Sequence, residues 1–235
     1  MKTFAKHWQR IAVTLLPLVF VLLHATGIIL LGTMQRLDDV IYDIRLRATM
    51  PNTLDERIVI VDIDEKSLAE VGRFPWGRNK LGSLVDILFS QQQIAMLGFD
   101  IVFAEPDDSS GLGRLNALAR DEFKDQAGFA ERIKQLQPEL DYDAHFAKSL
   151  ENRPVVLGYY FSSDGDGRTA GVLPAAVMSK RDLGGRLLEA NSWTGYGSNI
   201  DILAKAAPLA GHFNTTPDID GVVRSLPLLA EYKGQ

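Results

Sequence analysis

The sequence predicts an α/β protein: a mixed, largely parallel central sheet flanked by helices and preceded by one transmembrane helix. Three observations carry this expectation. Residues 11–31 read IAVTLLPLVFVLLHATGIILL, without a formal charge. Two compact apolar runs, RIVIVDID (57–64) and IAMLGFDIVF (94–103), enclose segments of helical periodicity. A third run, PVVLGYYF (154–161), follows further helical stretches. Strands alternating with helices in this way pair in parallel through right-handed crossovers, and runs this apolar are buried on both faces.

The first segment has the length of a membrane span. At about 1.5 Å per residue, 11–31 rises about 30 Å, the thickness of the hydrocarbon core. Pro17 and Gly27 are tolerated in such a helix. Lys2, Lys6 and Arg10 precede it and no carboxylate does, which predicts a cytoplasmic N-terminus (1–10), a span in the inner membrane (11–31) and a periplasmic or extracellular body (32–235). The alternative, a cleaved signal peptide, has the same basic start. The apolar run is longer than an h-region, however, and no small-x-small cleavage site follows it. The chain has 25 basic and 30 acidic residues. Removing the three leader cations leaves 22 against 30, an acidic body that argues against a nucleic-acid partner. There is no cysteine, which excludes disulfides, thiolate zinc sites and cysteine nucleophiles.

Beyond the span, residues 37–47 place Leu37, Val40, Ile41 and Ile44 on one helical face, and Pro51 ends that helix. Residues 57–64 are the first expected strand and 94–103 the second. Helices are expected over 64–71 and 79–92, the latter with Leu81, Leu84, Val85 and Leu88 facing inward. Residues 105–113 form a loop by composition, 114–137 a polar helical insertion, 142–150 a short helix, 154–161 a third strand and 162–168 an exposed turn. No clear element emerges from 170–200. Residues 200–206 read as helix. Segments 211–214 and 222–232 are expected to form a hairpin around TTPDIDG, with Gly221 at positive φ. The sequence stops just after that strand, which points to a fragment of a longer protein.

Five segments in order, YDIRLR (42–47), IVIVDIDEKSL (58–68), GRFPWGR (72–78), GFDIVFAEPD (98–107) and FNTTPDIDGVVRSLPLL (213–229), resemble the type-two CHASE domain. That is the extracytoplasmic sensor of bacterial cyclases, histidine kinases and other signalling proteins. The resemblance covers about 36–232, with one departure, Gly77 where a second proline is common. It implies an input domain that passes a stimulus through membrane helices to a covalently linked cytoplasmic module outside this chain. That module would be an adenylate or diguanylate cyclase or a protein kinase. Signalling through paired helices favours a homodimer.

The candidate chemistry lies at the expected strand ends. Asp62, Asp64 and Glu65 close the first, Asp100 lies in the second, and Glu105, Asp107 and Asp108 follow it. Carboxyl ends of parallel strands share the edge where ligands bind. Two readings remain open. A divalent cation, Ca²⁺ or Mg²⁺, could be held by Asp62, Asp64, Asp100 and Glu105. Alternatively Arg73 or Arg78 pairs with some carboxylates while others cap helices. Trp76, between the two arginines, either clamps an anionic ligand with them or pins a turn through its buried indole. These nine residues, Asp108 aside, are the ligand or sensing candidates; no catalytic residue is assigned. DIDG (218–221) lacks the twelve-residue calcium pattern. The DxD after an apolar run also resembles haloacid-dehalogenase-like phosphatases, which would make Asp62 a nucleophile and Asp64 an acid/base. Lys66 stands where threonine or valine is expected there. That phosphatase and a non-signalling envelope protein are the alternatives to a sensor.

Overall fold

A computed structural model describes residues 2–234 apart from 30, 52, 164, 180 and 185–189. The chain divides into two compact units, Met1–Asp62 and Ile63–Gln235.

The first unit contains helix α1 (Lys2–Ala25) and helix α2 (Gly32–Thr49). Here the sequence expectation fails. The helix does not continue to residue 31. Gly27, at φ 74°, closes α1 in a Schellman-type stop, in which Ile28 N–H donates to Leu23 O (3.1 Å) and Gly27 N–H to His24 O (2.9 Å). The charge-free helical run is therefore Ile11–Ala25, about 22 Å long, against the roughly 30 Å a span requires. No helix among the described residues is long and apolar enough to cross a membrane. The inner-membrane placement and the sidedness built on that span fall with it. After the stop the chain turns into α2, and the His24 ring links the two helices. Its Nε2 lies 3.2 Å from Asp38 Oδ2, and its Nδ1 accepts from Leu31 N–H at 3.3 Å. Met50, extended before Pro51, caps α2.

The β-branched run after Pro51 is not a strand either. Ile58, Val59, Ile60 and Val61 are 56–88% exposed and carry no ladder among the described residues. β-propensity expresses packing on a pleated surface more than a backbone preference, and without a paired neighbour it does not act.

The second unit carries the core. Its elements are α3 (Glu65–Val71), α4 (Arg78–Ser90), β1 (Leu97–Gly98), α5 (Leu112–Asp121), α6 (Ala127–Leu140), α7 (Tyr142–Leu150), β2 (Val155–Ser162), β3 (Thr169–Ala170), β4 (Asn191–Trp193), β5 (Gly195–Gly197), α8 (Asp201–Ala206), β6 (Leu209–His212) and β7 (Ala230–Tyr232). β2 organises the main sheet. It pairs in parallel with β1 and β6 and antiparallel with β5, to which β3 adds in parallel. The sheet is thus mixed and largely parallel. Leu81 and Val85 of α4, Phe146 and Leu150 of α7, and Val155 and Leu157 of β2 form the buried core with Leu203 of α8. The α4 periodicity read from sequence accounts for its inward face.

Two further expectations change. The second strand shrinks to Leu97–Gly98, and residues 99–103 run on under side-chain control. Phe103 N–H donates to the buried Asn199 Oδ1 (2.9 Å), whose Nδ2 donates to Gly158 O (2.9 Å). The final hairpin is absent, since β6 pairs with β2 and β7 with β4, both in parallel. Gly221 does take positive φ, at 81°. Its turn is tied by the Arg224 guanidinium, which donates to Asp218 Oδ2 (2.9 Å) and Asp220 Oδ2 (2.7 Å). Those two ion pairs and the unladdered strand ends explain why the segment does not run as one strand.

Candidate functional site

Within the second unit, most of the residues singled out from sequence have separate local roles. Asp62 is exposed at the end of the first unit. In the second unit Asp64 is the N-cap of α3, its Oδ1 accepting from Ser67 N–H (2.8 Å) and Ser67 Oγ (2.7 Å). Those bonds, the hydroxyl's foremost, hold its carboxyl below the ordinary value. Glu65 follows in the first turn of α3, where a carboxylate meets the positive end of the helix dipole. Arg73, Asp100 and Glu105 are exposed. Trp76 is half-buried, and its indole N–H donates to Gly72 O at 2.7 Å, closing the 72–76 turn. Among the described residues no three His, Asp or Glu side chains converge to hold a metal ion.

Arg78 and Asp107 do come together, around a residue the sequence did not single out. Arg78 is buried at the start of α4. Its guanidinium donates to Asp143 Oδ1 of α7 and to the Glu105 carbonyl, and it lies 5.3 Å from the Phe103 ring centre. Its backbone N–H donates to Asp107 Oδ2 (2.6 Å), and Asp107 N–H to Asp143 Oδ2 (3.0 Å). Burial pushes the Asp107 carboxyl up, but the bonds from Arg78 and Ser109 and the Arg78 charge outweigh it and leave the group below its ordinary value. This node joins α4, α7 and the 104–109 loop, and every lone pair it uses is internal. Asp143 escapes sequence reasoning because an acid in a first helical turn is common for dipole reasons alone.

The unmet chemistry lies elsewhere, in a cavity of about 700 Å³ along β6. Tyr159 and Phe161, two apart in β2, turn to one face of the sheet. The register sets His212 of β6 against Tyr159, with ring centres 6.1 Å apart; His212 and Phe161 are 5.8 Å apart. The segment 173–179, with Leu173 and Met178, and the β7 residues Ala230–Tyr232 complete the walls. His212 Nδ1 is buried without a partner among the described residues. Burial alone pushes the Tyr159 hydroxyl up, so it stays protonated and a donor across the physiological range. An apolar hollow with a few polar groups turned towards it is the usual form of a small-molecule site. A second hollow, of about 980 Å³ between α7 and α8, is lined by Glu151 and by charged groups of which Lys205 pairs with Asp201 and Arg153 with Asp86. The aromatic run Tyr159–Phe161 in PVVLGYYF was a signal for the first cavity that the sequence reading left unused; the approach of 173–179 and β7 had none.

Fold and site define a mixed α/β domain with an apolar cavity on the edge of its sheet. The chain belongs to the CHASE2 domain family, whose model matches residues 15–233. This is a family of sensory domains of signalling proteins. No curated protein and no solved structure matches the chain.

Proposed function

We propose that the chain is the input module of a signalling protein, that a small molecule seats in the cavity along β6, and that a covalently linked cyclase or kinase module outside this chain reads the resulting change. The cavity carries this reading, because it combines apolar walls from β2, β6, β7 and 173–179 with a buried His212 Nδ1 that has no partner among the described residues. A ligand bound at about 100 times its Kd stabilises the occupied state by about 2.7 kcal/mol, equivalent to several degrees in unfolding midpoint for a chain of this size. The test is a thermal-unfolding screen of the full chain against a diverse set of small molecules. At least one should raise the midpoint, and Ala210→Phe, which adds a ring to the wall, should remove the rise while leaving the unliganded transition cooperative. A folded protein that no member of the set stabilises would remove the reading.

A further inference from the structure

The input-module reading leaves the chemistry of the occupant open, and the walls of the cavity restrict it. Two charged side chains are among its described lining residues: Glu231, half-buried in β7, and Lys233, exposed, with its Nζ 5.1 Å from the Tyr232 ring centre. The interior is aliphatic on the 173–179 side, with Leu173 and Met178, and aromatic on the β2 side, with Tyr159 and Phe161. A charged group placed between those aliphatic and aromatic walls, away from Glu231 and Lys233, would lose its hydration without a counter-ion, a cost of several kcal/mol. A wholly apolar occupant would leave the half-buried Tyr159 hydroxyl, which has no acceptor among the described residues, unpaired at the cost of a lost hydrogen bond.

We infer that the cavity takes an uncharged, mainly apolar molecule carrying one hydrogen-bond acceptor, a carbonyl or ether oxygen, which accepts from the Tyr159 hydroxyl while the apolar body lies between the Phe161 and His212 rings and the 173–179 wall. This rests on the proposal that the cavity is the ligand site, and it adds the class of ligand. Tyr159 is thereby a specificity-determining residue.

Three naphthalenes of one shape separate the possibilities by equilibrium dialysis against the full chain: 2-acetylnaphthalene, with an acceptor; 2-ethylnaphthalene, without one; and 2-naphthoate, charged. The acetyl compound should bind about tenfold more tightly than the ethyl compound, the worth of one hydrogen bond, and naphthoate more weakly than either. Tyr159→Phe, which deletes only the hydroxyl, should bring the acetyl and ethyl compounds to parity. Tyr160→Phe, on the opposite face of β2, should leave the preference intact. Equal binding of acetyl and ethyl compounds to the native chain would overturn the inference while leaving the cavity a ligand site. So would tightest binding by naphthoate, which would place the recognition at Lys233. Binding by none of the three overturns it as well, and the wider thermal screen then decides separately whether the cavity receives anything.

Discussion

Replacing Arg78 with methionine should destabilise the second unit far more than the same change at Arg73, although the two arginines flank one short motif. The side chains of Arg78 and Asp143 are 9% and 15% exposed, so solvent screens their pairing little. Removing one partner of such a pair strands the other charge, at about 3–5 kcal/mol. Asp143 keeps one donor, the Asp107 N–H at 3.0 Å, which favours the lower end of that range. The lost contact with Phe103 adds about 0.5–1 kcal/mol. A loss of about 3.5 kcal/mol is expected, because neighbouring losses do not add fully. With a urea slope of about 2 kcal/mol/M, the midpoint should fall by about 1.7 M. Arg73 is exposed, and Arg73→Met should move it by no more than about 0.25 M. Urea unfolding followed by far-UV circular dichroism and tryptophan fluorescence measures both. Combining Arg78→Met with Asp143→Leu should recover part of the loss, since no charge is then stranded. Equal shifts for the two arginine variants would refute the reasoning, as would a double variant weaker than Arg78→Met alone by a further full increment.

Asn199→Leu should cost about 2–4 kcal/mol, because it strips partners from Phe103 N–H and Gly158 O in the buried centre; the thermal midpoint should fall by about 8 °C. The Asp220 carboxyl is lowered to about 2, first by the Arg224 side chain and then by the Val222 N–H. A carboxylate lowered on folding contributes stability that is complete above its unfolded value near 3.9 and lost as pH falls through the folded one. The 218–224 turn should therefore hold at pH 4 and loosen towards pH 2, and carboxyl NMR should show Asp220 returning towards its ordinary value in Arg224→Gln. Gly27→Ala should cost about 1 kcal/mol at positive φ and speed amide exchange at Gly27 and Ile28 about fivefold, with Gln35 at the start of α2 unaffected.

What was legible in the sequence was local. Helical periodicity located α4, and the three-residue spacing from Asp64 to Ser67 suffices for a cap that forms in the structure. The continuous apolar run 154–161 marked β2 to within a residue, because that strand is paired on both sides and its composition is set by burial. The failures share a cause, the need for information beyond the segment. Hydropathy over 11–31 counts apolar side chains but not the backbone state of Gly27, which ends the helix. Ile58–Val61 has the composition of a strand, yet a strand also needs a neighbour. The segment 222–232 is diverted by Arg224, whose partners Asp218 and Asp220 lie just upstream in the same turn. For the ion-pair node between α4 and α7, the sequence singled out Arg78 and Asp107 but not Asp143. It gave the aromatics of β2 no role, because the cavity arises only when 173–179 and β7 close over them.

The cavity walls also constrain how a ligand could act. β6 is held by four register pairs to β2, and β2 packs into the core through Val155 and Leu157. The opposite wall is attached far more lightly. Residue 172 is held by Val172 N–H to Asn199 O (2.8 Å) and Ser198 Oγ to Val172 O (2.7 Å), but Val177 beyond it is 82% exposed. Moving a two-state equilibrium from 1:99 to 99:1 takes a differential affinity of about 5.5 kcal/mol. At about 0.3–0.5 kcal/mol per non-hydrogen atom, a ligand of 12–15 such atoms has only about 4–7 kcal/mol in total. Nearly all of that binding free energy must then discriminate between the two states. A ligand resting only on β2 and β6 would meet the same surface in both and shift nothing. The contacts that differ must be those on 173–179, since β7 is laddered to β4 and its Tyr232 packs on Phe161, so substitutions at Met178 should change the response to a ligand more than its affinity, while Tyr159→Phe should weaken affinity in either state. If Met178→Ala and Tyr159→Phe altered affinity and response in the same proportion, the division of the cavity into a fixed and a moving wall would be wrong.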